Sequence, residues 1–139
     1  MFINPILSTI ERGYRKTMQD VFQSIYQKMA KIGVFDVRQY AVIESPPNVP
    51  LCIDKLSDDV YALSQNPEEE GVMYADPDME IRVDHQKKTA EPLTFQVLEE
   101  KRVVYPAPGK VDLKARNELA HFLDNWLSDL IQKGFIRNQ

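Results

Sequence analysis

Residues 74 to 85 read YADPDMEIRVDH, which places four carboxylates and a histidine inside twelve residues. Two chemistries suit such a set. Asp76, Asp78 and Glu80 are hard oxygen donors of the kind Mg²⁺ and Ca²⁺ prefer. A carboxylate beside His85 can also move protons when a cleft desolvates both. The plainer reading is a strand with one wet side. Alternate residues of an extended chain share a face, so Asp76, Asp78, Glu80, Arg82 and Asp84 point one way and Met79, Ile81 and Val83 the other. Pro77 reads as the turn entering the strand, which takes Asp76 off the face. Arg82 supplies Glu80 with a built-in cation, and no calcium-loop pattern with its central glycine is present. The stretch therefore leaves Glu80, Arg82, Asp84 and His85 as a candidate binding surface, with no catalytic residue and no metal ligand set.

The remaining reactive residue types do not assemble into a second centre. His85 and His121 stand 36 positions apart, outside any zinc spacing. The single cysteine, Cys52, alternates with apolar neighbours in PLCIDKL and is expected as a buried thiol. The five glycines fit no phosphate-cradling pattern, so no nucleotide cofactor is expected. GxSxG and HExxH are absent as well.

The elements that must carry these residues follow from periodicity. Apolar residues at Leu7, Ile10, Tyr14, Met18, Val21, Ile25, Met29 and Ile32 predict a long N-terminal amphipathic helix. Asn4 is its expected cap, Pro5 its first residue and Gly33 its stop. Such a helix would be on the order of 40 Å long, more than a small sheet can cover. Either Gly13 bends it or one end projects toward another chain.

From 37 to 106 the period is two, in YAVIE, LCIDKL, VYAL, GVMY, MEIRV, LTFQVL and RVVYP. The separators are too short for crossover helices, which predicts an antiparallel meander of five to seven strands. YPAPGKVD then leaves the sheet. A C-terminal helix follows, with Asp112 as cap, Leu119, Phe122, Leu123, Trp126, Leu127, Leu130 and Ile131 as its apolar face, and Gly134 with Phe135 as its end. The Trp126 N–H needs a partner. The expected fold is α+β, a single domain over 1–139 with both helices on one face of the sheet.

Composition narrows the classes of function. Seventeen basic against twenty-one acidic residues give a net charge of −4, which disfavours capture of a nucleic-acid backbone. No run approaches the roughly 20 apolar residues that span a bilayer, so no membrane partner is expected. The opening MFINPILSTIERGYRK lacks the basic start and unbroken apolar core of a signal peptide. With one cysteine, a reducing cytoplasm is the expected compartment.

PDMEIRVDH (77 to 85) and ELAHFLDNWLSDLIQKGF (118 to 135), with LSTIERGYRKTM (7 to 18) more loosely, resemble the YqiB-like family of small bacterial proteins of unknown function. They also resemble uncharacterised proteins of bacterial plasmids and integrative elements. The shared positions are Pro77, Asp78, Met79, Glu80, Arg82 and His85, then Phe122, Leu123, Trp126, Leu127 and Gly134. The resemblance implies a bacterial origin and a helix, sheet, helix order, and brings no activity. The resulting expectation is a non-catalytic interaction or chaperone-like module, similar to small secretion chaperones in size and acidity, whose partner is another protein or a second copy of itself. The alternative is a small-ligand or metal-binding enzyme using the acidic residues and His85 on the open sheet face.

Overall fold

The computed structural model describes residues 16–137. Helix α1 (Met18–Ile32) begins where Thr17 adopts extended geometry, φ −75° and ψ 164°. The Thr17 hydroxyl accepts from the Asp20 N–H at 3.1 Å, and the Asp20 carboxylate accepts from the Thr17 N–H at 3.1 Å. This reciprocal cap satisfies two otherwise orphaned donors and sets the helix start. The helix therefore has 15 residues, about 22 Å at 1.5 Å per residue. A continuous helix from Pro5 is not what forms. The expected stripe at Leu7, Ile10 and Tyr14, the Asn4 cap and the Gly13 bend lie outside the described residues. Of the rest of the stripe, Val21, Ile25, Met29 and Ile32 are buried as expected and Met18 is half-buried against the core. Gly33 ends the helix at φ 98°, and a Cβ there would sit 2.9 Å from the Cβ of Arg137.

A 3₁₀ turn (Val34–Asp36) leads into strands β1 (Tyr40–Ile43), β2 (Leu51–Ser57) and β3 (Val60–Gln65). A small hairpin follows, β4 (Glu68–Glu69) and β5 (Val72–Met73), and then β6 (Asp78–Asp84), β7 (Thr89–Val97) and β8 (Glu100–Val103). The main sheet has six strands in the order β1-β2-β3-β6-β7-β8, each neighbour antiparallel, and β4 and β5 pair separately. GVMY, expected as a sheet strand, belongs to that hairpin. The expected LTFQVL strand starts four residues earlier, at Thr89. The sequence conceals this because Pro92 sits there, opposite Ile81, at a register shift where the ladder is already interrupted.

The register stacks Ala41, Ile53, Leu63, Met79 and Phe95 in one row and Tyr61 beside Ile81 in the next. These side chains share a core with α1 and with helix α2 (Leu113–Gln132), which contributes Ala115, Leu119, Ala120, Leu123, Trp126, Leu127 and Leu130. Both helices thus cover the same face, in an α+β fold. Asp112 caps α2 by accepting from the Ala115 N–H at 3.0 Å. Beyond its end Gly134 takes φ 90° and Phe135 is fully buried. Phe122, expected in the core, is 39% exposed and lies at the edge of the stripe, its ring edge-on to Phe95 at 5.1 Å.

Two polar contacts lock the helices. Asp124, 7% exposed, accepts from Lys28 Nζ at 2.7 Å and from Ser24 Oγ at 2.6 Å, tying α2 to α1. Trp126 Nε1 donates to Gln65 Oε1 at 3.0 Å, and Gln65 Nε2 donates to the Val49 carbonyl at 2.8 Å, tying α2 to the sheet. Trp126→Ala is expected to cost about 3 to 5 kcal/mol from lost packing. Trp126→Phe, which keeps most of the apolar bulk and leaves Gln65 Oε1 without its donor, should cost about 1 to 3 kcal/mol. Urea unfolding of both variants checks the ranking, and a Trp126→Phe cost near zero would show that the hydrogen bond contributes nothing.

Candidate functional site

Strand β6 divides its side chains as the alternation requires, with Met79, Ile81 and Val83 buried under the helices. Their neighbours face a side no described helix covers, and the register shows what they meet there. Tyr40, Asp54, Ala62, Glu80, Thr94 and Val103 form one cross-strand row. Val42, Cys52, Ser64, Asp78, Gln96 and Lys101 form the next, and Val60, Arg82 and Glu91 a third. Three carboxylates, Asp54, Asp78 and Glu80, therefore surround the short side chains of Ala62 and Ser64. Burial pushes the Asp78 carboxyl above its ordinary value of 3.8, with Glu80 and Asp54 adding like-charge repulsion and Lys101 opposing it.

The four expected site residues part company. Glu80 and Arg82 lie on the open face. The Arg82 guanidinium sits 5.2 Å from the centroid of the Tyr105 ring, and the Tyr105 hydroxyl donates to Glu91. Burial, then the hydrogen bond to Glu91, raise the Tyr105 phenol above its usual value, while Arg82 works against them. Asp84 is committed to its turn, Oδ1 accepting from the N–H groups of Gln86 at 3.0 Å and Lys87 at 2.9 Å. His85 is not on the open face. As an odd-numbered residue it follows Val83 to the helix side, where Nδ1 lies 2.9 Å from the Tyr26 hydroxyl and the ring packs edge-on to Phe35 at 4.9 Å. Arg82, Asp84 and His85 still border one cleft of about 550 Å³ at the end of the β6–β7 hairpin, with Phe22 and Asp58, but Glu80 is not among its walls.

Asp76 is exposed and precedes the strand, joined to Pro77 by a cis peptide bond. Among the described residues no three His, Cys, Asp or Glu side chains converge as a metal set. Cys52 is half-buried on the open face, a correction to the expected core thiol, and receives a hydrogen bond from the Tyr40 hydroxyl at 3.6 Å. That bond is the first cause of an upward shift in the Tyr40 phenol. His121 is exposed on α2. Asp54, Tyr40 and Tyr105 are the site neighbours that sequence reasoning missed. The alternation of LCIDKL already sets Cys52 and Asp54 opposite Leu51 and Ile53, but only the register brings them beside Asp78 and Glu80.

A family model described as a domain of unknown function (DUF6908) matches residues 17–136. The chain belongs to the DUF6908 family. The match takes in every described helix and strand of this DUF6908 domain, from the Thr17 cap to the residue after Phe135. An uncharacterised family is what the resemblance implied, though under another name than YqiB-like. No curated protein matches the chain, and no solved structure does. No helix among the described residues is long and apolar enough to cross a membrane.

The raised Asp78 carboxyl gives a signed expectation. Folding raises its affinity for the proton, so its contribution to stability is full below the ordinary value near 3.8 and is lost as pH rises through the raised one. Asp78→Asn is therefore expected to raise the thermal midpoint at pH 7, with the gain over wild type shrinking to nothing as pH falls below about 4. A lower midpoint for the variant at pH 7 would show that Asp78 is stabilised rather than strained by its neighbours.

Proposed function

We propose that this domain is a non-catalytic interaction module of a bacterial cytoplasm, which holds an extended segment of another protein against the sheet face its own helices leave open. The observation that carries the reading is the pattern on that face. An acidic centre of Asp54, Asp78 and Glu80 lies between exposed apolar side chains at both sheet edges, Tyr40 and Val42 on β1 and Val103 with Tyr105 at β8. Apolar surface left in water beside an excess of negative charge suits a partner that supplies both complements. The matching segment is basic in its middle and apolar at its flanks, and its Lys or Arg would relieve the repulsion on Asp78. A symmetric dimer through this face is disfavoured, since it would set the acidic centre against its own copy.

A small-ligand site remains the second reading, favoured by the cleft that Arg82, Asp84 and His85 share. His85 meets Tyr26 there rather than a carboxylate, and Glu80 lies outside, so it has less to support it.

Affinity capture from the host with wild type and with Glu80→Lys, both shown to be folded by circular dichroism, tests the interaction reading. A partner bound by wild type at low salt and weakened about tenfold or more by the charge reversal is the expected result. Equal recovery by both proteins, or a thermal midpoint that responds to a metabolite panel in wild type alone, would overturn it.

A further inference from the structure

The β4–β5 hairpin and the β7–β8 turn expose apolar side chains to solvent. Val72 and Met73 in the β4–β5 hairpin are 65% and 64% exposed, and Leu98 in the β7–β8 turn is 56% exposed. Met73 and Leu98 line the same cleft of about 610 Å³, together with Tyr74, Ala75, Gln96 and Glu99.

Leu98 pays twice for its place. Its φ is 55°, a left-handed conformation that glycine adopts freely and a branched side chain does not. The conformation is held by two hydrogen bonds to the Leu98 main chain, its N–H donating to the Ala75 carbonyl at 2.8 Å and the Gln96 side-chain Nε2 donating to its carbonyl at 3.1 Å. Glycine could make both bonds at lower cost. The leucine side chain is not needed to hold the turn, and more than half of it faces water. Glu70 at φ 53° and Lys88 at φ 58° take the same conformation in other hairpin turns, so what sets Leu98 apart is the apolar side chain it presents to water, a group suited to contact with a partner.

The surroundings define that partner. Glu68 lies directly across the hairpin from Met73 and Glu69 across from Val72, while Glu99 and Glu100 follow Leu98. Among the described residues none of these four carboxylates belongs to an ion pair. A cleft with apolar walls that Glu99 also lines, and with Glu68 across the hairpin from Met73, disfavours an acidic occupant and fits one that alternates apolar with cationic side chains.

We infer that this cleft docks a basic amphipathic segment of a partner protein, one apolar side chain entering between Met73 and Leu98 while Lys or Arg side chains meet Glu68 and Glu99. The inference rests on the reading of this domain as an interaction module and adds a contact point beyond the sheet face.

The test uses the full chain and a fluorescently labelled amphipathic leucine–lysine peptide, with a leucine–glutamate peptide of the same pattern as control, read by anisotropy. The expected result is saturable, salt-sensitive binding of the lysine peptide alone, weakened about tenfold or more in Leu98→Gly. The same variant should keep or raise the thermal midpoint, since glycine relieves the turn. That pairing separates display from packing. A lowered midpoint, or undiminished binding by Leu98→Gly, overturns the inference, and so does equal binding of both peptides. Glu80→Lys distinguishes the two readings. Loss of binding with Glu80→Lys alone removes the cleft and keeps the sheet face, whereas loss with Leu98→Gly alone keeps the cleft and counts against the face. Absence of any binding removes the cleft and leaves the sheet face to the capture experiment.

Discussion

The fold depends on one constraint: two helices cover one face of a six-stranded sheet and no described element covers the other. A sheet packed on one side must send apolar side chains inward at every second position and polar or mixed ones outward. A one-residue slip in β6 would bury Asp78, Glu80 and Arg82 and expose Met79, Ile81 and Val83, so register is strongly specified. The same requirement, carried across β2, β3 and β6, forces Asp54, Asp78 and Glu80 onto common ground. The acidic centre is thus a consequence of how the core is closed, joined to a choice of residue on the side where the core places no demand.

How the helices stay on that face is a matter of two buried polar contacts of unequal kind. Asp124 is almost wholly buried, and an ionised carboxylate there requires both the Lys28 ammonium and the Ser24 hydroxyl. Such a pair contributes little net stability against an apolar replacement, but it penalises any docking of α1 on α2 that separates its members. Trp126 differs, since its burial supplies packing energy outright and its N–H to Gln65 adds only a smaller term that aligns the helix with β3. Packing holds the layers together; the hydrogen bonds choose among the ways of stacking them.

Most of this architecture could be read from periodicity alone. The stripe from Val21 to Ile32, the alternation of β2, β3 and β6, the Asp112 cap and the Gly134–Phe135 ending are local patterns, and local patterns survive folding when the tertiary structure agrees with them. The failures also have local causes. Thr17 and Asp20 form a capping pair that overrides a continuous apolar stripe, and the T-x-x-D signature was visible beside the more conspicuous Gly13. Proximity in the chain groups His85 with Glu80, although parity assigns it to the other face, where Tyr26 and Phe35 hold it. The neighbours of Asp78 on β2 could not be read at all. Pairing partners depend on turn lengths and bulges such as the one between Lys55 and Ser57, which no single strand encodes.

Charge is distributed by the same division of faces. Among the described residues the ion pairs are Lys28–Asp124 between the helices, Arg102–Glu118 between β8 and α2, and Lys133–Asp129 at the end of α2. All three involve α2, on the covered side of the sheet. Arg82, a cation on the open side, is turned to the Tyr105 ring and leaves Glu80 without a salt bridge. A net charge of only −4 therefore understates the field over the open face, where Asp54, Asp78 and Glu80 lie, and beside the cleft that Glu99 lines. Concentrated carboxylates of one sign attract a cationic segment over roughly a Debye length, about 8 Å at physiological ionic strength, before any apolar contact forms. The apolar groups at the edges and tip act only at contact, so for a partner of the proposed kind they would govern how long it stays while the carboxylates would govern how fast it arrives.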